Sequence, residues 1–423
     1  MKAVMIRPNV YWAGVNDRTS ELFEGLWSIR DSGVSINSYV ILDEKKVLID
    51  CSCEICTEPY IQMIESLVPL KEIDYVVLNH LEPDHTGALM YLRQANPDIT
   101  YIGTKKAAEI IANFYEIRDH FQIVGDGEEL RLGEFTLKFA AIPFVHWPET
   151  MATYLVEEKI LFPCDAFGGY GALPGTVFDD ECSQVEKFEQ DTLRYYSNIV
   201  AGFSANTKKA IEKLSGYPIE VVAPSHGLVW RKRPERIVEL YKKWVQYAES
   251  GREKAVTLVY ATMYGNTASF AEMTQQAIAA TGLPVEMFNV QTTDIGEILA
   301  SVWKNQGIVV CAPTYEGSLF PEMVNFLNMM KIKKVFCRTS AYFGSFGWGS
   351  MAKKQFEAYA GELKWSVVDN YQFYGKPKTT DFDRLPAFAE KFAAEIRTTA
   401  AITYECLDGY LQELEPLIMN LWI

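Results

Sequence analysis

Histidine is scarce in this chain: five occur in 423 residues. Long apolar runs are absent, and no stretch reaches the ~18 residues a membrane-spanning helix requires, so no membrane partner is expected. The N-terminus, MKAVMIRPNVYWAGV, holds no continuous apolar run and no small-residue cleavage site, and does not read as a secretory signal. Basic charge is in short supply, with 40 Lys and Arg against 55 Asp and Glu and a net charge of −15. Phosphate backbones need a basic footprint, so nucleic acid is excluded as a partner. The acidic excess reads as solubility. Of eight cysteines, only Cys53 and Cys56 form a C-x-x-C, with Cys51 just before them. Without a second such pair, neither a zinc ribbon nor a rubredoxin-type iron site is present. These three read as small residues buried after a strand, and the cysteine usage fits a reducing cytoplasm.

What is present is ample apolar material. Hydrophobic residues make up 48% and aromatics 13%, which marks a globular chain, and its length exceeds one ordinary core. The character changes near Ser250-Gly251-Arg252, so domains are expected over 1–250 and 251–400, with a helical extension over 401–423. Before the break, short β-rich runs recur at Ser38 to Leu42, Lys46 to Asp50, Tyr75 to Leu78, Leu137 to Ile142, Lys159 to Phe162 and Ile219 to Val222. Helical patterns at Glu58 to Leu67 and Lys105 to Phe114 lie between them. After the break, strands at Ala255 to Ala261, Val285 to Val290, Gly307 to Cys311, Thr339 to Phe343 and Trp365 to Gln372 alternate with helical patterns. That alternation predicts a doubly wound parallel sheet. Cys406 to Ile423 reads as an amphipathic helix that docks on the protein or a second subunit.

Four of the five histidines fall into one constellation. His80, Glu82, Asp84 and His85 share the segment H-L-E-P-D-H, and His146, Asp165 and His226 each close an apolar run. Four imidazoles with three carboxylates form the ligand set of a two-metal centre, and a nitrogen and oxygen set without thiolate suits iron or manganese at least as well as zinc. Pro83 makes the first segment a loop rather than a helix, unlike H-E-x-x-H zincins. His120 is left over as a surface residue. A second site is signalled by Thr262-Met263-Tyr264-Gly265-Asn266-Thr267, placed between a strand and a helix. It offers hydroxyl and amide donors, a glycine turn and a helix N-terminus, which favour an anion. No lysine completes a nucleoside-triphosphate loop. Pro313-Thr314-Tyr315-Glu316-Gly317 and Ser345-Phe346-Gly347-Trp348-Gly349 follow two later strands.

On these motifs the chain resembles the flavodiiron proteins (A-type flavoproteins) from about residue 1 to about 400. The resemblance implies an α/β protein: an N-terminal metallo-β-lactamase-like αββα sandwich, then a doubly wound flavodoxin-like domain. Ordinary hydrolases of the first fold carry H-x-H-x-D-H. Here Glu82 replaces the second histidine, which makes the site harder and favours iron. By similarity, one iron is held by His80, Glu82 and His146, the other by Asp84, His85 and His226, and Asp165 bridges them. His146-Trp147-Pro148-Glu149 matches the family's H-W-P pattern, with Trp147 as a pocket wall. The three loops are similar to those that hold FMN, with Tyr315 and Trp348 against its ring.

The implied activity passes electrons from FMN to the two irons and on to O2, giving water, or to NO, giving N2O. Such an enzyme protects an anaerobic or microaerobic cell. The implied donor is a rubredoxin or a reduced deazaflavin, and the implied assembly a head-to-tail homodimer or a homotetramer. The ligand set is the same for O2 and NO, so preference is expected from neighbours such as Phe167 and Tyr170, where some relatives carry a histidine near Tyr170. The alternatives are a zinc hydrolase with a regulatory second domain and a non-catalytic electron carrier.

Overall fold

The computed structural model describes residues 2–399, so the helix expected over 401–423 lies outside the described residues. Contacts divide the chain into two compact units, with the break after Lys242, inside the helix Pro234–Glu249.

The first unit is built on two sheets. One has seven strands in the order Val4–Arg7, Val10–Trp12, Tyr39–Leu42, Lys46–Ile49, Tyr75–Val77, Thr100–Gly103 and Phe121–Ile123. Its first four strands are antiparallel and the rest run parallel to Lys46–Ile49. The other has five: Glu129–Arg131, Thr136–Ala141, Met151–Leu155, Ile160–Phe162 and Val221–Val222. The sheets face each other. Tyr39 of the first meets Phe162 of the second at 4.9 Å between ring centroids, and Thr153 Oγ1 of the second donates to Asn79 Oδ1 at 2.7 Å. Helices such as Thr57–Glu65 and Lys105–Phe114 complete the metallo-β-lactamase-like sandwich. Every residue of Met151–Leu155 and Ile160–Phe162 is buried, as expected of strands covered on both faces.

One local expectation is corrected. Pro83 marks a loop in the sequence, yet Pro83–Thr86 closes a single helical turn with the proline in its first turn. Proline is tolerated there because its missing N–H has no intrahelical partner and its φ is already helical.

The second unit is a five-stranded parallel sheet in the order Val285–Asn289, Glu253–Tyr260, Asn305–Cys311, Thr339–Phe346 and Ser366–Tyr374. Numbered along the chain this order is 2-1-3-4-5, the flavodoxin-like arrangement. Asn305–Cys311 is buried throughout, as a central strand must be. Val256, Leu258, Val309 and Phe343 lie against Phe270 of the helix Asn266–Ala280 and Phe392 of Leu385–Thr398, forming the core on one side.

Candidate functional site

Four strand ends of the first unit deliver the seven candidate ligands to one place. His80 follows Tyr75–Val77, His146 follows Thr136–Ala141, Asp165 follows Ile160–Phe162, and His226 follows Val221–Val222. The helical turn Pro83–Thr86 carries Asp84 and His85. His80, His85 and His226 are fully buried, and His146 and Asp165 nearly so.

The side chains form two groups around Asp165. Its Oδ2 lies 3.3 Å from His146 Nε2 and 3.5 Å from His80 Nε2; its Oδ1 lies 3.0 Å from His85 Nε2 and 3.4 Å from His226 Nε2. Glu82 Oε2 completes the first group, 3.0 Å from His146 Nε2 and 3.3 Å from His80 Nε2. Asp84 Oδ2 completes the second, 3.2 Å from His226 Nε2 and 3.4 Å from His85 Nε2.

These separations suit donors arranged about an ion at ~2 Å from each. Both oxygens of Asp84, Asp165 Oδ2 and His226 Nε2 are buried without a hydrogen-bond partner, although Asp84 Oδ2, Asp165 Oδ2 and His226 Nε2 each have an opposite group in reach. Atoms that approach one another but do not hydrogen-bond are aimed at a shared point between them. Burying such atoms unsatisfied is costly, and a cation at that point removes the cost. The donor set therefore fits two metal ions.

The groups behind the imidazoles orient them. His80 Nδ1 donates to Glu149 Oε1 at 2.8 Å, and Leu81 N donates to the same oxygen at 3.0 Å. His226 Nδ1 donates to Ser35 O at 2.7 Å. Each leaves Nε2 as the metal-facing nitrogen. Asp50 accepts from Asn79 N at 2.8 Å and Asn79 Nδ2 at 3.0 Å, holding the residue before His80. Burial raises the Asp50 carboxyl to about 6 against these bonds.

Burial disfavours a charged imidazole, but the facing carboxylates outweigh it. Asp165 and Glu82 raise His146 to about 9, and Asp165 and Asp84 raise His226 to about 10. Burial likewise opposes ionisation of Asp165 and Glu82, and the imidazoles hold both well below the usual carboxylate range. In the metal-free site the carboxylates thus hold protons on the imidazoles, in places that cations can take.

A cleft of about 570 Å³ reaches Glu82 and Asp84, and Phe23 and Met90 are among its walls. Trp147 stands edge-on to His80 at 5.1 Å between centroids. The His226 ring lies 4.9 Å from that of His85, 5.4 Å from Phe23 and 5.5 Å from Tyr195. Tyr170 sits behind them, 5.5 Å from Phe23 and 5.1 Å from Tyr195, and Phe167 lies against Tyr241 at 5.0 Å.

The second unit carries its own cleft, of about 460 Å³, beyond the carboxyl ends of Glu253–Tyr260, Asn305–Cys311 and Thr339–Phe346. All the loop residues expected there line it except Gly265 and Gly317, and Gly375 joins them. Gly265 and Gly317 instead make the turns, at φ of 86° and 81°. Gly265 N donates to Thr262 Oγ1 at 3.0 Å, and Thr267 Oγ1 and Ser345 Oγ meet at 2.9 Å. The helix Asn266–Ala280 starts at the cleft with free backbone N–H groups, as an anion requires. Tyr264 is 90% exposed and Trp348 76%, bare aromatic surfaces beside the cleft that suit a planar ring.

The model of the ODP family beta lactamase matches residues 34–227 and that of flavodoxin residues 258–385. The anaerobic nitric oxide reductase flavorubredoxin of Escherichia coli O6:K15:H31 is 35% identical over 356 residues, 83% of this chain and 73% of the relative. That of Vibrio vulnificus is 34% identical over 361 residues, 84% and 72%. The solved flavodiiron protein of Giardia intestinalis superposes with a TM-score of 0.89 at 28% identity, covering 95% of this chain and 99% of its own.

The chain belongs to the flavodiiron protein family.

The rubredoxin oxygen:oxidoreductase of Desulfovibrio gigas is similar to this flavodiiron protein, with a TM-score of 0.89, 26% identity and coverage of 94% and 99%. The protein is an oxidoreductase of the NO and O2 reductase family, with FMN and a non-haem diiron centre as cofactors.

Sequence reasoning names the seven ligand candidates but passes over several of their supports. Glu149 stands next to the H-W-P pattern and is readable only as a neighbour of His146. Asp50 and Asn79 carry the signal of polar residues at strand ends. The Ser35 contact is made by a backbone oxygen and has no residue signature. Cys164, beside His85 and Asp165, is kept a thiol by burial.

Proposed function

We propose that this flavodiiron protein reduces O2 to water, NO to N2O, or both, in the cytoplasm of an anaerobic or microaerobic cell. The observation that carries the reading is the pair of nitrogen and oxygen ligand groups sharing Asp165, with Glu82 where hydrolases of the fold hold a second histidine. In this reading His80, Glu82 and His146 hold one iron, Asp84, His85 and His226 the other, and Asp165 bridges. The three loops of the second unit hold FMN: Thr262, Asn266, Thr267 and Ser345 face its phosphate, and Tyr315 and Trp348 flank its ring. When bound, the diiron and flavin groups supply electrons to the small oxidant.

The chain's own residues fix where that happens. Asp165 would be shared by the two metals, since its Oδ2 faces His80 and His146 and its Oδ1 faces His85 and His226. Glu149 and the Ser35 carbonyl lock the tautomers of His80 and His226. Phe23, which lines the cleft, and the buried Tyr195 set aromatic rings beside His226, a surround suited to small neutral gases. Among the described residues six cysteines are free thiols and Cys337 is disulfide-bonded. The domain limits are 1–250 and 251–400, which keep the helix Pro234–Glu249 whole. The donor is a rubredoxin or a reduced deazaflavin.

Anaerobic stopped-flow mixing of fully reduced protein with O2, and separately with NO, tests the reading. Rapid reoxidation by at least one gas is expected. Purified protein that carries two zinc ions and no flavin, and that reacts with neither gas, overturns it.

A further inference from the structure

The C-x-x-C reads from sequence as buried structural cysteine, but its placement says more. Cys56 N donates to Cys53 O at 3.2 Å, closing a tight helical turn over Glu54–Cys56. Such a turn brings its end Cα atoms within about 7 Å, in the range a disulfide spans. The two side chains are hydrogen-bond partners of each other, so the sulfurs already face. The nine-residue helix Thr57–Glu65 starts directly after Cys56, and a helix N-terminus favours a thiolate beside it. Cys53 is half-buried and lines the cleft that holds Glu82 and Asp84. Cys51, by contrast, is sealed in the core.

The turn is also bound to the metal centre's own backbone. Cys51 N donates to His85 O at 2.9 Å, and Ala88 N donates to Ser52 O at 3.0 Å. Gly87, which ends the ligand-bearing turn, rests on the C-x-x-C backbone: a Cβ there would fall 2.2 Å from Glu54 N and 2.7 Å from the Cys53 carbonyl carbon.

We propose that Cys53 and Cys56 form a redox-active dithiol at the lip of the substrate cleft, oxidised to a disulfide by hydroperoxide and restored by a dithiol reductant. The two sulfurs share a proton across their hydrogen bond. The helix N-terminus leaves the charge on Cys56 and the proton on Cys53 at rest. Once that proton passes to Cys56, the Cys53 sulfur, on the residue that lines the cleft, is the thiolate that attacks one oxygen of hydrogen peroxide. The O–O bond breaks, and the other oxygen leaves as hydroxide and takes a solvent proton to become water. Cys53 is then a sulfenic acid. The Cys56 sulfur attacks it, the S–S bond forms, the S–O bond breaks, and the hydroxyl leaves as water with the Cys56 proton. Two thiols lose two electrons, and one peroxide becomes two waters. The inference stands on the geometry of the turn and holds whichever oxidant the metals take.

Peptide mapping tests it. Holoenzyme with oxidised cofactors is thiol-reduced, desalted, treated with stoichiometric hydrogen peroxide and alkylated. The expected result is loss of two reactive thiols per chain. The peptide spanning Cys53 and Cys56 becomes lighter by two hydrogens and takes no alkyl group, and dithiothreitol reverses this. In Cys53→Ser the change is absent and Cys56 remains alkylatable. A map in which both stay alkylatable, in which Cys51 is the bonded partner, or in which only sulfinic or sulfonic acids form overturns the proposal. The wild-type map decides it even if the variant does not fold.

Discussion

Glu149 touches no metal position, yet its one oxygen holds both His80 Nδ1 and Leu81 N. Removing it frees the ring to rotate and weakens its basicity at Nε2. Glu149→Ala is expected to lower iron affinity by roughly 10- to 100-fold, with Glu149→Gln intermediate, measured by competition with a chelator. Iron retention equal to wild type in both variants contradicts the role given to Glu149. At the same scale, His146 and His226 are raised from an ordinary 6.5 to about 9 and about 10. Both therefore carry protons at neutral pH in the metal-free protein, and a metal must displace them. Metal uptake in weak buffer at pH 7 is expected to release protons, and affinity to climb as pH rises toward 10. Folding stability of the metal-free protein runs the other way. A raised histidine contributes fully below 6.5, and that contribution fades as pH rises through about 9 and 10. Melting temperature against pH, with and without iron, checks both signs; a metal-free protein that gains stability between pH 8 and pH 10 sinks the assignment.

The element that matters most is the single turn Pro83–Thr86, which sets Asp84 and His85 and ends on a glycine. Gly87 has no room for a side chain, because the backbone at Cys53 and Glu54 occupies it. Gly87→Ala is expected to cost about 1–3 kcal/mol, as overpacking does, and to displace the turn with its two ligands. Thermal unfolding and iron content per chain measure the two effects. A variant that melts as wild type does, with two irons bound, shows that the contact yields without moving the turn. In the second unit the matching elements are the loops beyond three parallel strands, where the strand order reverses and opens a crevice.

For the whole molecule, each cofactor cleft is built inside its own unit. Electron transfer needs the two kinds of site brought together, which the head-to-tail homodimer implied by the family resemblance would do between subunits. Mixing an Asp165→Ala protein with one whose FMN loop is disrupted is expected to regain activity that neither has alone, to about half of wild type in each mixed dimer at most. No recovery after confirmed subunit exchange rules that assembly out.

Much of the second unit is legible in the chain, because buried parallel strands read as apolar runs and each is followed by a helix with its own period. The expected helix at Lys105 to Phe114 in the first unit is the helix found. The strands Val4–Arg7, Val10–Trp12 and Met151–Leu155 were not legible, since they are short and their register depends on partners far along the chain. The ligand candidates stood out because histidine is rare and each one follows an apolar run. Composition and order along the chain thus settle the kind of donor atoms and the two-part plan, since both are local properties. Only the fold decides that Asp165 lies between two groups, that Glu149 and a Ser35 carbonyl aim the rings, and that Phe23 and Tyr195 wall the site beside His226. It also sets Cys53 at the lip of the cleft. These are contacts between residues up to 191 positions apart, and no local pattern encodes which strand end will meet which.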